Sequence, residues 1–121
     1  MYMSEKFIFD ERKVGDITIL GVPFKIRLGE GDVALKRKID ELVSKGQRKI
    51  LLHLTVNGWQ MDNGGLGEIV RSFTTLKRAR GDLKILTTSE NTMDLLFLTK
   101  LISVFEVFED ETEALSSFEQ G

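Results

Sequence analysis

Ile50-Leu51-Leu52-His53-Leu54, followed by the loop Val56-Asn57-Gly58-Trp59-Gln60-Met61-Asp62-Asn63-Gly64-Gly65 and then Leu66, Ile69, Val70, Phe73 and Leu76 at helical spacing, is the stretch that decides the fold. A continuous apolar run bounded by charge and a turn is a central strand covered on both faces, and the spacing after it is that of a helix with one inward stripe. The same alternation recurs on either side. Leu35, Ile39, Leu42 and Val43 mark an earlier helix, with Asp32 placed to cap its first turn and Gly46 to end its last. Lys77, Arg78 and Arg80 suit the negative end of the central helix and Gly81 its C-terminal cap, so these cations call for no nucleic acid. A strand Leu83-Lys84-Ile85-Leu86, a helix carrying Met93, Leu96, Phe97 and Leu101, and a short strand over Val104-Phe105-Glu106-Val107-Phe108 follow. Asp110-Glu111-Thr112-Glu113 has the form of a capping box opening a terminal helix with Ala114, Leu115 and Phe118 inward.

Towards the N-terminus, Phe7-Ile8-Phe9 and Ile17–Val22 read as a hairpin around the turn residues Val14-Gly15-Asp16, and Phe24–Leu28 as a further extended segment after Pro23. Strand, helix, strand, helix, strand, helix requires right-handed crossovers. The predicted class is therefore α/β: one small domain spanning 1–121 with its core at 7–118, a mostly parallel sheet with an antiparallel N-terminal edge strand, and about four helices.

Composition narrows function by exclusion. In 121 residues, 17 Lys and Arg against 19 Asp and Glu leave a formal charge of −2, which gives no electrostatic footprint for nucleic acid and no polybasic membrane anchor. With no cysteine and a single histidine, disulfides, thiolate nucleophiles and metal sites built on cysteine or several histidines are excluded, so neither metal nor cofactor is expected. His53 reads as a half-buried histidine without a nucleophile beside it, and no catalytic residue is assigned. Neither an apolar stretch long enough to span a membrane nor a secretory signal is legible, and a cytoplasmic location is expected. Lys36, Arg37 and Lys38 read as a solvated helix face.

The informative loop is Asp62-Asn63-Gly64-Gly65-Leu66-Gly67, where a helix N-terminus follows a buried strand. A phosphate-binding loop would need a Gly-Lys-Ser/Thr ending, and a dinucleotide fingerprint would need a small residue where Val70 stands and an acid after Leu86-Thr87. From local chemistry alone it is a glycine-rich turn with positive φ angles, capped by Asp62 or Asn63.

Strand-Asp-x-x-Gly-Leu-Gly-helix, with Leu28-Gly29-Glu30-Gly31 upstream and Leu98-Thr99-Lys100-Leu101-x-x-Val104-Phe105 downstream, resembles the STAS domain of the anti-sigma factor antagonists over about Phe7 to Phe118. The resemblance implies a bacterial, cytoplasmic, non-enzymatic module that regulates transcription by binding an anti-sigma factor of the kinase type. It also implies a phosphorylated serine in an Asp-Ser-Ser/Thr-Gly motif. Here Asp62 is kept, Asn63 and Gly64 replace both hydroxyl residues, and Gly65-Leu66-Gly67 completes the pattern, so no phosphosite is expected at the family position. The connection from His53 to Asp62 is one residue longer than the pattern and contains Trp59; the family commonly has Asp or Asn at the position of His53. The expected partner surface is Asp62, Asn63, Gly64, Gly65 and Leu66, with Glu68 and Arg71 one turn on and Trp59 as an additional anchor. The alternatives are a small-ligand or nucleotide sensor using the glycine-rich loop as an anion nest, and an accessory STAS subunit of a transport complex.

Overall fold

In a computed structural model, which describes residues 7–119, the chain runs β1 (Asp10–Val14), β2 (Ile17–Val22), α1 (Asp32–Ser44), β3 (Lys49–Leu54), α2 (Asn63–Arg78), β4 (Asp82–Thr87), α3 (Glu90–Leu98), a 3-10 turn (Leu101–Ser103), β5 (Val107–Phe108) and α4 (Glu111–Glu119). The sheet order is β1-β2-β3-β4-β5, with β1 antiparallel to β2 and every other pair parallel. Because the parallel strands lie in sequence order, successive right-handed crossovers put α1, α2 and α3 on the same face. Burial agrees. Leu20, Val22, Ile50, Leu52, Leu54, Leu83 and Ile85 pack with Leu35, Ile39, Ile69, Leu76 and Leu96 on that face, and Ile17, Ile19, Leu51 and Leu86 pack with Ala114 and Phe118 of α4 on the other. β3 is thus covered on both sides, as its unbroken apolar run requires. The predicted α/β class, with a mostly parallel sheet, an antiparallel edge strand and four α-helices, is the architecture found.

Several local expectations change. The first strand is the polar Asp10–Val14 rather than Phe7-Ile8-Phe9. Phe7 and Phe9 instead meet Phe24 edge-to-face, each with ring centroids 5.1 Å apart, and Phe9 and Phe24 close one end of the core. β1 can be polar because it is held by charge from both faces: Lys38 of α1 reaches Glu11 at 2.7 Å, and Arg12 pairs with Glu111 of α4. Charges along an edge strand also oppose pairing with another chain. Phe24–Leu28, expected as an extended segment, joins no strand of the sheet: only Ile26 and Arg27 make isolated bridges, Ile26 to Met61 and Arg27 to Glu30 and Gly31, between a bend at Phe24 and a turn at Leu28.

Helix ends differ in which residue bends the chain. Gly31, at φ 79°, rather than Asp32 occupies the cap of α1; Asp32 is already helical, and its carboxylate accepts from Val33 N at 2.7 Å. Gly46, at φ 89°, ends that helix as expected. At the end of α2 the left-handed residue is Arg80, at φ 65°, with its N–H donating to Lys77 O and that of Gly81 to Leu76 O, a Schellman pattern. Gly81 serves packing, since a Cβ there would sit 2.3 Å from Arg48 O. In α3, Leu96 is buried but Phe97, the next residue around the helix, is exposed, and Leu101 belongs to the 3-10 turn. The last strand is only Val107–Phe108, with Phe105 directed into the core. Asp110 caps α4 by accepting from Glu113 N at 2.9 Å, and Ala114 and Phe118 are buried.

Candidate functional site

The carboxyl ends of β2, β3 and β4 carry the loops that precede α1, α2 and α3. The first two are tied together by one residue that carries no local sequence signal. Gln60 is 1% exposed; its side-chain NH₂ donates to Val22 O (2.8 Å) and Phe24 O (3.0 Å), its side-chain oxygen accepts from Val56 N (3.1 Å), and its backbone carbonyl accepts from Ile26 N (2.7 Å). A buried amide with its donors and acceptor in use specifies one arrangement of its neighbours. On the far side, Thr87 Oγ1 donates to Leu54 O, and Ser89 Oγ donates to Gly58 O while accepting from Thr92 N.

Within this frame Asp62 is the cap of α2, its carboxylate accepting from Gly65 N at 2.8 Å and also from Leu28 N at 3.3 Å. These backbone N–H donors, Gly65 first, hold its carboxyl below the usual carboxylate range. The helix starts at Asn63, so Gly64, Gly65 and Gly67 lie inside its first turns, and none has the positive φ expected of a glycine-rich turn. Their use is close approach. A Cβ on Gly65 would lie 1.9 Å from Ile26 O, and one on Gly64 would lie 2.6 Å from Leu28 Cβ, whereas one on Gly67 would meet nothing within 4 Å. Two missing side chains let the segment around Ile26-Arg27-Leu28 lie directly on the start of α2. That segment folds back through paired bonds between Arg27 and Glu30, with Gly29 at φ 80°, leaving Leu28 at the tip with 77% exposure.

Of the residues singled out from sequence, Asp62 and Asn63 are exposed, Gly64 is half-covered by Leu28, and Gly65 and Leu66 are buried beneath them. Glu68 and Arg71 are partly exposed and bonded to each other at 2.8 Å; Arg71 also reaches Asp40 of α1 at 3.5 Å. Trp59 is 55% exposed on the loop before Gln60. Leu28 was missed because its place depends on contacts with residues more than thirty positions away.

Among the described residues, no group of three or more His, Cys, Asp and Glu side chains is arranged to hold a metal ion, and no helix is long and apolar enough to cross a membrane. His53 lies on the α4 face, half-buried, away from the start of α2. Burial lowers its pKa and Arg12 acts in the same direction, against Glu111 and Asp10. A lowered folded pKa means the unfolded chain takes up the proton first. His53 should therefore cost stability as pH falls from the ordinary histidine value, about 6.5, through its lower folded value. Urea denaturation of the wild type and His53→Asn at pH 7.5 and 5.5 checks this: the variant should lose less on acidification, and equal losses would contradict it.

No family model matches the chain, and no curated protein matches it. Solved structures do. The fold aligns with a protein from Thermotoga maritima described as a candidate anti-sigma factor antagonist (22% identity, 97% of each chain, TM-score 0.78). It also aligns with an anti-sigma factor antagonist from Mycobacterium paratuberculosis (15% identity, 92% of each chain, TM-score 0.76). The Bacillus cell fate determinant SpoIIAA in its phosphorylated form is a third (16% identity, 92% of this chain and 99% of that one, TM-score 0.66). This chain has the fold of the anti-sigma factor antagonists. The STAS fold expected from Asp62-x-x-Gly65-Leu66-Gly67 and its flanking segments is therefore present.

Proposed function

We propose that the protein is a non-enzymatic regulatory module of the anti-sigma factor antagonist type. It acts in the bacterial cytoplasm, binds a kinase-like anti-sigma factor, and is not phosphorylated at the start of α2. The observation that carries this reading is a STAS fold whose helix start, with Asp62 and Asn63 exposed and Gly64 half-covered by Leu28, is built to a fixed shape but offers no hydroxyl. SpoIIAA, by contrast, has a phosphorylated form. The nearby hydroxyls are engaged elsewhere: Ser72 is buried and donates to Glu68, Thr74 donates to Val70 O, and Thr75 accepts from Arg71. The contact surface is Asp62, Asn63 and Gly64 with Glu68 and Arg71 along the helix, supported from below by Gly65 and Leu66 and flanked by Leu28 and Trp59. Exposed tryptophan and leucine beside a rigid polar surface suit a protein partner.

Two features weigh against the nucleotide alternative. The N–H groups at the start of α2 already face the carboxylate of Asp62, which repels a phosphate. The parallel strands run in sequence order, so the sheet lacks the reversal of strand order at which such folds open a nucleotide crevice.

Pull-down and titration against ATP-binding anti-sigma factors from the same genome test the assignment. Micromolar or tighter binding, weakened by Asn63→Lys, is expected; no binding to any of them sinks the partner. Incubation with such a kinase and ATP should leave the mass unchanged. A phosphoryl group on any serine or threonine would overturn the loss of the switch.

A further inference from the structure

Of two Asn-Gly pairs, Asn63-Gly64 lies within this surface and Asn57-Gly58 beside it, and the fold gives them opposite environments. Asparagine before glycine is prone to a self-reaction in which the following backbone nitrogen attacks the side-chain amide carbon. Glycine favours it because no Cβ hinders the approach and the backbone can turn to meet the amide. The geometry points to Asn57 as a site of spontaneous deamidation, with Asn63 protected by the fold.

Asn57 is exposed at the bend of the Val56–Gln60 loop, and Gly58 stands at φ 83°. Among the described residues, neither the Asn57 side chain nor Gly58 N makes a hydrogen bond that opposes the attack. The loop is held just before the pair by Val56 N donating to Gln60 Oε1 (3.1 Å), and at the carbonyl of Gly58 by Ser89 Oγ (3.0 Å), a bond that leaves Gly58 N and the Asn57 side chain unengaged. Asn63 is the opposite case. It is the first residue of α2, and its following nitrogen, Gly64 N, lies in a first turn that the Asp62 carboxylate caps by accepting from Gly65 N at 2.8 Å. Gly64 is also packed on Leu28, with only 3.0–3.1 Å between its ideal Cβ position and the Leu28 backbone. Helical dihedrals and these contacts hold the attacking nitrogen away, so reaction there requires the first turn of the helix to open.

The chemistry balances with solvent alone. Gly58 N forms a bond to Asn57 Cγ and loses its proton, ammonia leaves, and a five-membered succinimide remains. Water then adds to either carbonyl and opens the ring, giving aspartate or isoaspartate. Either product adds one negative charge two residues from Trp59, and isoaspartate also lengthens the backbone by one methylene beside the Ser89–Gly58 bond. On the reading of α2 as a partner surface, which this consequence rests on, ageing at Asn57 would alter its rim.

The test is peptide mapping of the folded protein after incubation at mildly alkaline pH, with isoaspartyl methyltransferase labelling to locate the product. Asn57 should convert and Asn63 should lag by roughly tenfold or more, the factor that an opening free energy of about 1.4 kcal/mol imposes. In urea the two sites should react at similar rates, and Asn57→Gln should remove the native-state product. Conversion of Asn63 as fast as Asn57 in the folded protein, or no faster conversion of Asn57 than of Asn63 at any time, overturns the proposal. Because the product is read by mass, the outcome is independent of whether an anti-sigma factor binds.

Discussion

Gly65→Ala is expected to destabilise the fold by roughly 3 kcal/mol, and Gly67→Ala, two residues on in the same helix, to stabilise it by up to about 1 kcal/mol. The local term is the same for both, since alanine is preferred over glycine in a helix by about 1 kcal/mol. What differs is the space. A Cβ at Gly65 would fall 1.9 Å from Ile26 O and 2.7 Å from Ile26 C, so a backbone segment rather than a flexible side chain must move. That segment carries the Asp62 N to Ile26 O bond and the bonds from Gln60, and its displacement would unseat Leu28 as well. Gly67 is exposed with nothing within 4 Å, so its alanine keeps the helix gain without a steric cost. Urea denaturation of the pair reads the sign directly. Gly65→Ala within error of the wild type would mean that the Ile26 segment does not lie on α2 as described.

These two glycines also show where reading the sequence stops. The alternation of strands and helices was legible because each element carries its own hydrophobic period, and a cap at Asp62 or Asn63 was legible because capping is local chemistry, the structure choosing Asp62. Glycine has two uses, positive φ and the absence of a Cβ, and a single sequence does not distinguish them. The motif predicts a glycine-rich turn with positive φ, but Gly64 and Gly65 are helical and serve the approach of a chain segment more than thirty residues away. For the same reason Gln60, which joins the loops after β2 and β3, and Leu28, which stands over Gly64, carried no local signal. Phe7-Ile8-Phe9 looked like a strand because aromatic and β-branched residues favour strands. The pairing of Asp10–Val14 with Ile17–Val22 instead left those aromatics to close the core against Phe24.

Lys84→Ala should cost about 2–3 kcal/mol, and Lys84→Met clearly less. Lys84 lies at a position of β4 that points to the α4 face, with its side chain 4% exposed. Its ammonium donates to Ser117 O and Ser117 Oγ, each at 2.9 Å, lies 3.1 Å from Glu106 Oε2, and sits 4.6 Å from the centroid of the Phe118 ring. One side chain therefore joins β4, the residue before β5, and α4. Alanine leaves a void beneath Phe118 and removes the donor from the Ser117 carbonyl. Glu106, 59% exposed, can return to water, which keeps the loss below that of a fully buried pair. Methionine fills the same volume and meets the Phe118 ring through its sulfur, so most of the packing survives. Calorimetric melting of both variants decides between packing and charge: equal losses would assign the effect to the ammonium alone, and no loss in either would remove Lys84 from the stability of α4. Lys84 and the start of α2 serve opposite faces of the sheet. A Lys84 variant held below its melting temperature should accordingly keep its partner affinity, whereas Gly65→Ala, which displaces the segment beneath Leu28, should lose affinity even where it remains folded.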